Sequence, residues 1–248
     1  MRRKLAQLDS MKQGFLASVS HELRTPLSKI REALSLLNDG VLGSPDARQA
    51  RVLEIAQQAC ERQIRMVSTL LDLSRMRSGS QLQPIDSSAV DTVIERALQD
   101  ERADADTRGV SLVTVREGEA PSGRLDPVLL ERAIANIVRN AVAVSGRGQQ
   151  VVVTRSFARS QVTISVKDEG PGVPDEIRSV IFDAFVTHHV PKSGKSFGVG
   201  LGLALAREIA RAHDGELTLA DGVDKGALFV MTFPLMPSAA TVRATHAS

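Results

Sequence analysis

The chain has 248 residues, 42% of them apolar and 24% charged, a balance that suits a folded globular protein and argues against overall disorder. Its net charge of +2 makes no electrostatic case for nucleic acid or a membrane surface as partner, and no apolar run reaches membrane-spanning length. The single cysteine, Cys60, excludes an intrachain disulfide and fits a reducing compartment. Charge is unevenly spread. Residues 1–80 hold 13 Lys/Arg against 8 Asp/Glu, net +5, and residues 81–248 hold 18 against 21, net −3, so two parts with different tasks are expected. Nothing at Met1 resembles a signal peptide, and the chain as given is expected to be soluble.

The first 80 residues read as helix. Leu8, Met11, Phe15, Val19, Leu23, Leu27, Ile30, Leu34 and Leu37 recur at gaps of three or four, averaging about 3.6 residues, the helical period. His21 stands two positions from both Val19 and Leu23, about 200° around the helix from that stripe. It therefore points away from the core, with Thr25 one turn later on the same face and Glu22 beside it. An exposed neutral imidazole flanked by a carboxylate is a competent nucleophile; an ordinary surface histidine is the plainer reading. Pro26 cannot donate to the carbonyl of Glu22, so the helix is expected to bend there.

"NDGVLGSPDA" (38–47) is a turn cluster, with Ser44 and Pro45 as candidate cap and first position of the next helix. That helix carries Leu53, Ala56, Cys60, Ile64, Val67 and Leu71 as its stripe and ends near Gly79. Two helices with one apolar stripe each cannot enclose a core, so a second copy completing a four-helix bundle is the default expectation. Packing on the rest of the chain is the alternative.

Beyond Gly79 helices and strands alternate. Helices are expected over 89–101, 126–145 and up to His213. Strands are expected over 110–115, 150–157, 161–170, 215–220 and 226–235, giving helices on one face of a largely antiparallel sheet. The tail 237–248 is small and polar, and disorder is expected there. Asn136 and Asn140 lie four apart in the otherwise apolar "AIANIVRNAVAV". Two such carboxamides can serve as oxygen ligands for Mg²⁺ or simply bond each other on the helix surface. "DEGPGVP" (168–174) ends a strand, and "GVGLGLALAREIARAH" (198–213) opens a helix whose exposed N–H groups suit phosphate. Neither fits the dinucleotide fingerprint, and "SGKS" (193–196) lacks the glycine at position 189 that a P-loop requires. Turn-making and tight packing are the alternative for both glycine stretches.

Taken in order, "SHELRTPLS", "NIVRNAVAVS", "DEGPGVP", "IFDAF" and "GVGLGLALA" resemble the H, N, G1, F and G2 boxes of two-component sensor histidine kinases, over residues from about 5 to 236. The resemblance implies an α plus α/β protein: a dimerising, histidine-phosphotransfer hairpin (1–80), then an α/β sandwich ATP-binding domain (81–237) and a tail (238–248). It implies that His21 takes the phosphoryl group, that Glu22 assists its ring proton and that Thr25 orients water in the reverse, phosphatase reaction. Asn140 would hold Mg²⁺, with Asn136 as second contact. Asp168 would accept the adenine amino group in a pocket shaped by Gly170 and Gly172. Residues from about 183 to 199 would form a lid over ATP, hinged near Phe182 and Phe185, with Gly198, Gly200, Leu201 and Gly202 at the phosphates. Where many members carry a basic residue and an aromatic after the second asparagine, this chain has Ala143 and Val144, and Lys192 and Lys195 are candidate replacements from the lid. Glu169 stands where asparagine is common.

The implied activity is ATP-dependent autophosphorylation of His21 and transfer to an aspartate of a separate response regulator, in a cytoplasmic homodimer. No nucleic acid is implied. Sensor and membrane segments would lie upstream of Met1 if the chain is a fragment. A degenerate kinase acting as scaffold or phosphatase, or an ATPase doing conformational work, are the competing readings; the second leaves "HELRTP" without a purpose.

Overall fold

The structure is a computed structural model that describes residues 23–41, 43–77, 82–83, 85–87, 90–119, 123–158, 161–187, 200–222 and 224–234. The chain divides into two compact units, Met1–Ser80 and Gln81–Ser248. The expected tail lies outside the described residues.

In the first unit α1 is helical over the described residues 23–38, continuously through Pro26, and α2 spans Ala47–Arg77. The cap of α2 is Asp46, two residues later than the Ser44–Pro45 expectation. Its carboxylate Oδ1 accepts the N–H groups of Arg48 and Gln49, both at 2.8 Å, while Gln49 Oε1 accepts the Asp46 N–H at 2.9 Å. This reciprocal capping box satisfies donors that a serine two positions earlier cannot reach. The two helices are tied by Cys60 Sγ donating to the Leu27 carbonyl at 3.1 Å and by Arg24 Nη2 donating to Ser68 Oγ at 3.2 Å. Cys60, Val67 and Leu71 of the expected stripe are buried, yet Leu23, Ile30, Leu37, Val52 and Ile55 are exposed.

The second unit runs β1 (Ile85–Ser87), α3 (Val90–Arg108), β2 (Ser111–Glu117), β3 (Gly123–Leu125), α4 (Pro127–Val144), β4 (Gln150–Ala158), β5 (Gln161–Asp168), α5 (Asp175–Arg178), α6 (Gly202–Ala212), β6 (Glu216–Leu219) and β7 (Leu228–Pro234). Five strands form one sheet in the order β2-β4-β5-β7-β6. All pairings are antiparallel except β2 with β4, which is parallel. A parallel neighbour needs a crossover, and α4 supplies it. The pair β1–β3 is a separate three-residue ladder, too short to leave an alternating pattern in the sequence.

Alternation decides which face is covered. Val151, Val153, Val162, Ile164, Val166, Phe229, Met231 and Phe233 are buried, and their odd-numbered or even-numbered neighbours are half-exposed. Against the buried face lie α3, α4 and α6. Helix α4 presents Leu130, Ala133, Ile134, Ile137, Val138, Ala141 and Val142, each large side chain contributing roughly 1.5–3 kcal/mol on burial. Arg155 of β4 reaches across to α3, pairing with Asp91 at 2.9 Å and Glu95 at 2.5 Å, and this bond to Arg155 holds the Glu95 carboxyl below its usual range.

Helix α6 is latched to α4 by a buried histidine. The Asp126 N–H donates to His213 Nε2 at 3.2 Å, so Nδ1 carries the proton and donates to the Ile209 carbonyl at 2.9 Å. Asp126 in turn caps α4, accepting the Leu129 N–H at 3.1 Å, with Pro127 at the first helical position. The sequence shows a histidine near a helix end; only the packed structure makes it a clasp between two helices.

Candidate functional site

Asn136, Asn140 and Val144 are spaced four apart, so they form a line along one face of α4, about 12 Å from end to end at 1.5 Å per residue. The buried stripe of α4 runs beside them, which leaves both carboxamides half-exposed. At one end of this line stands the start of α6. A Cβ built on Gly202 would sit 3.5 Å from Asn136 Oδ1, in ordinary contact, so the first turn of α6 rests on Asn136. Leu201 precedes it, 3% exposed, and among the described residues no side chain caps the helix. The first N–H groups of α6 lie beside the asparagines at the positive end of the helix dipole, an arrangement suited to an anionic ligand. Gly200 has φ +70°, and a Cβ there would come within 2.2 Å of the Val186 carbonyl, while its own carbonyl accepts the Phe185 N–H at 2.9 Å. Close backbone approach demands glycine at this position.

At the other end is Asp168, the last residue of β5 and 1% exposed. Its Oδ1 accepts two backbone N–H groups, from Gly170 at 2.9 Å and Ala227 at 3.2 Å. Its Oδ2 is buried without a partner among the described residues. Burial pushes this carboxyl above its ordinary range, and the two N–H groups pull it partway back. A buried acceptor left unpaired costs about 1–3 kcal/mol, a cost recovered when an outside donor arrives. Gly170 keeps the approach open: a Cβ there would stand 2.9 Å from Asp168 Oδ1 and 3.0 Å from Val144 Cγ2. Gly172, at φ +78°, turns the chain over Gly226.

The structure thus sets Asn136 and Asn140 on one face of α4, with Gly202, preceded by Gly200 and Leu201, at one end and Asp168 and Gly170 at the other, while Gly172 packs on Gly226. Sequence reasoning missed Gly226 and Ala227, which support Asp168 from the turn just before β7; the glycine in "KGALF" was the available signal. Among the described residues no cluster of three or more His, Cys, Asp or Glu could hold a metal. The carboxamide oxygens of Asn136 and Asn140 are hard donors of the kind that suits Mg²⁺. Thr25 is exposed on α1 of the first unit. His21, Glu22, Lys192, Lys195, Gly198 and most of the expected lid lie outside the described residues.

Residues 11–79 match the family described as the His Kinase A (phospho-acceptor) domain. Residues 125–237 match the histidine kinase-, DNA gyrase B- and HSP90-like ATPase family. The sensor-like histidine kinase SenX3 of Mycolicibacterium smegmatis is 31% identical over 94% of this chain and 60% of its own length. The chain therefore spans about three fifths of that relative. The solved structure of full-length ShkA in complex with AMPPNP has a TM-score of 0.71 at 25% identity, over 93% of this chain and 48% of that one. The Acinetobacter baumannii histidine kinase AdeS shares the fold, with a TM-score of 0.59 at 21% identity over 87% of this chain and 98% of that one.

Proposed function

Because the chain belongs to the two-component sensor histidine kinases, we propose that it is a kinase core that phosphorylates itself on His21 from ATP and passes the group to an aspartate of a receiver domain in trans. The observation that carries the ATP reading is the unpaired Asp168 Oδ2, a buried acceptor suited to the exocyclic amino group of adenine. The uncapped start of α6 suits the phosphates, one α4 line away. Asn140, with Asn136 beside it, would hold Mg²⁺, which supplies charge neutralisation at the transferring phosphoryl group.

In the proposed step a ring nitrogen of His21 attacks the γ-phosphorus, the bond to the bridging oxygen breaks, and ADP leaves. Glu22 holds the opposite ring proton and stabilises the positive charge that develops on the imidazole. The exposed Leu23, Ile30, Leu37, Val52 and Ile55 of the hairpin support a second copy as the partner that covers them. We place the core in the cytoplasm, where ATP and the receiver are; no described helix is long and apolar enough to cross a membrane.

The test is incubation with labelled ATP and Mg²⁺. Label that is lost in acid and kept in base is expected, and its absence would sink the kinase reading. Two further outcomes divide the machinery. Asn140→Ala should reduce turnover most at limiting Mg²⁺ and leave the melting temperature nearly unchanged, because the carboxamide is half-exposed and alanine favours helix; wild-type turnover at limiting Mg²⁺ would remove it from the site. Thr25→Ala should hold autophosphorylation within a few-fold yet slow receiver dephosphorylation, whereas Glu22→Gln should impair autophosphorylation. Equal loss of both activities in Thr25→Ala would make Thr25 a matter of helix geometry.

A further inference from the structure

The loop that leaves α4 is fastened to the turn that follows β5 through two side chains. Gln149 uses both ends of its carboxamide: Oε1 accepts the Gly146 N–H at 2.6 Å, and Nε2 donates to the Glu169 carbonyl at 2.8 Å. Glu169 answers with its carboxylate, whose Oε2 accepts the Gln150 N–H at 2.8 Å. These bonds lie immediately behind the two walls of the proposed purine slot. Val144 is the last residue of α4, and Asp168 immediately precedes Glu169.

The sheet ladder already locates Asp168, which pairs with Val151 of β4. It does not locate Val144, which connects to β4 through five residues that include Gly146 and Gly148. The loop's backbone is tied toward the start of β2, the Gly148 N–H donating to the Gly109 carbonyl at 2.7 Å and the Gln149 carbonyl accepting the Ser111 N–H at 2.9 Å. The Gln149 side chain adds the tie that joins the loop to the Asp168 turn. The slot tolerates little error, since the Cβ position over Gly170 has only 3.0 Å to Val144 and 2.9 Å to Asp168.

We infer that Gln149 and Glu169 are positioning residues that set the width of the base slot between Val144 and Asp168. Neither touches the nucleotide; they act by holding the end of α4 against the turn. The inference rests on the ATP reading above, and it extends that reading to two residues that no sequence motif singles out for this role.

The experiment is equilibrium titration of the full chain with ATP, at low and at saturating Mg²⁺, for wild type, Gln149→Ala, Gln149→Glu, Glu169→Ala and Glu169→Gln, with thermal unfolding alongside. Losing these hydrogen bonds, two in Gln149→Ala and one each in Glu169→Ala and Gln149→Glu, which lacks the donor, should weaken ATP about three- to ten-fold. Glu169→Gln keeps an acceptor for Gln150 and should stay near wild type. The fold-loss should be equal at both Mg²⁺ levels, because the clamp acts at the base and not at the metal. Wild-type ATP affinity in the alanine variants would overturn the inference, as would Glu169→Gln binding as weakly as Glu169→Ala. Absence of ATP binding by the wild-type chain would instead overturn the nucleotide reading itself.

Discussion

A chain carrying His21→Gln is expected to incorporate no phosphoryl group from ATP while still dimerising and binding nucleotide. The periodic apolar stripe through Val19, Leu23 and Leu27 stands about 200° around the helix from His21, so the replacement leaves the stripe intact and should leave the melting temperature unchanged. Glutamine is polar and has good helix propensity, but its amide nitrogen is not a nucleophile. The proposed nucleotide pocket is built from α4, β5 and α6 of the second unit, so ATP affinity should be preserved. Acid-labile phosphate retained in this variant would refute the assignment. Loss of label together with loss of dimer would point to a structural role.

The second large effect is at Asp168. In Asp168→Asn the amide oxygen should take the place of Oδ1, since the Gly170 and Ala227 N–H groups demand an acceptor there. That orientation turns the amide NH₂ toward the slot, where adenine presents its own NH₂. Loss of a charge-assisted hydrogen bond of about 1.5–3 kcal/mol corresponds to weakening ATP by roughly ten- to a hundred-fold. A 6-oxo purine offers an acceptor to the new donor, so discrimination between ATP and GTP should narrow or invert. Isothermal titration with both nucleotides checks this. Unchanged ATP affinity would remove Asp168 from base recognition.

The same carboxyl makes a paired pH prediction. Burial raises its folded-state value above the unfolded one, so the native state binds more protons in the window just above the ordinary carboxylate range. Stability of the nucleotide-free protein should therefore fall as pH rises through that window. ATP affinity should move the opposite way, because the ionised form is the stronger acceptor for the amino group. Asp168→Asn should flatten both trends. Binding and stability that rise together would contradict the assigned role.

Much of the fold could be read from local pattern because each element repeats its signal several times. The stripe of α4 recurs over nearly four turns, and the alternation of β5 and β7 over three or four pairs, so a stray residue does not hide them. The cap of α2 was harder, because Ser44, Pro45 and Asp46 all suit a helix start and only reciprocal bonding with Gln49 selects Asp46. The parallel pairing of β2 with β4 and the β1–β3 ladder depend on which segments meet, and no periodicity within a segment reports that.

The site divides along the same line. The sequence by itself determined that Asn136 and Asn140 share a helix face, because a 3.6-residue period sets residues four apart one above the other. It also determined that glycines stand at the strand end and at the helix start, where backbone must approach closely. Tertiary structure alone decided that Asp168 spends one oxygen on Gly170 and Ala227 and keeps the other unpaired, that His213 clasps the α4 cap, and that Gln149 meets Glu169. Each of those depends on a hydrogen-bond partner 20 to 87 positions away in the chain. A local sequence specifies which donors and acceptors exist; folding decides which of them are used up and which remain for a ligand.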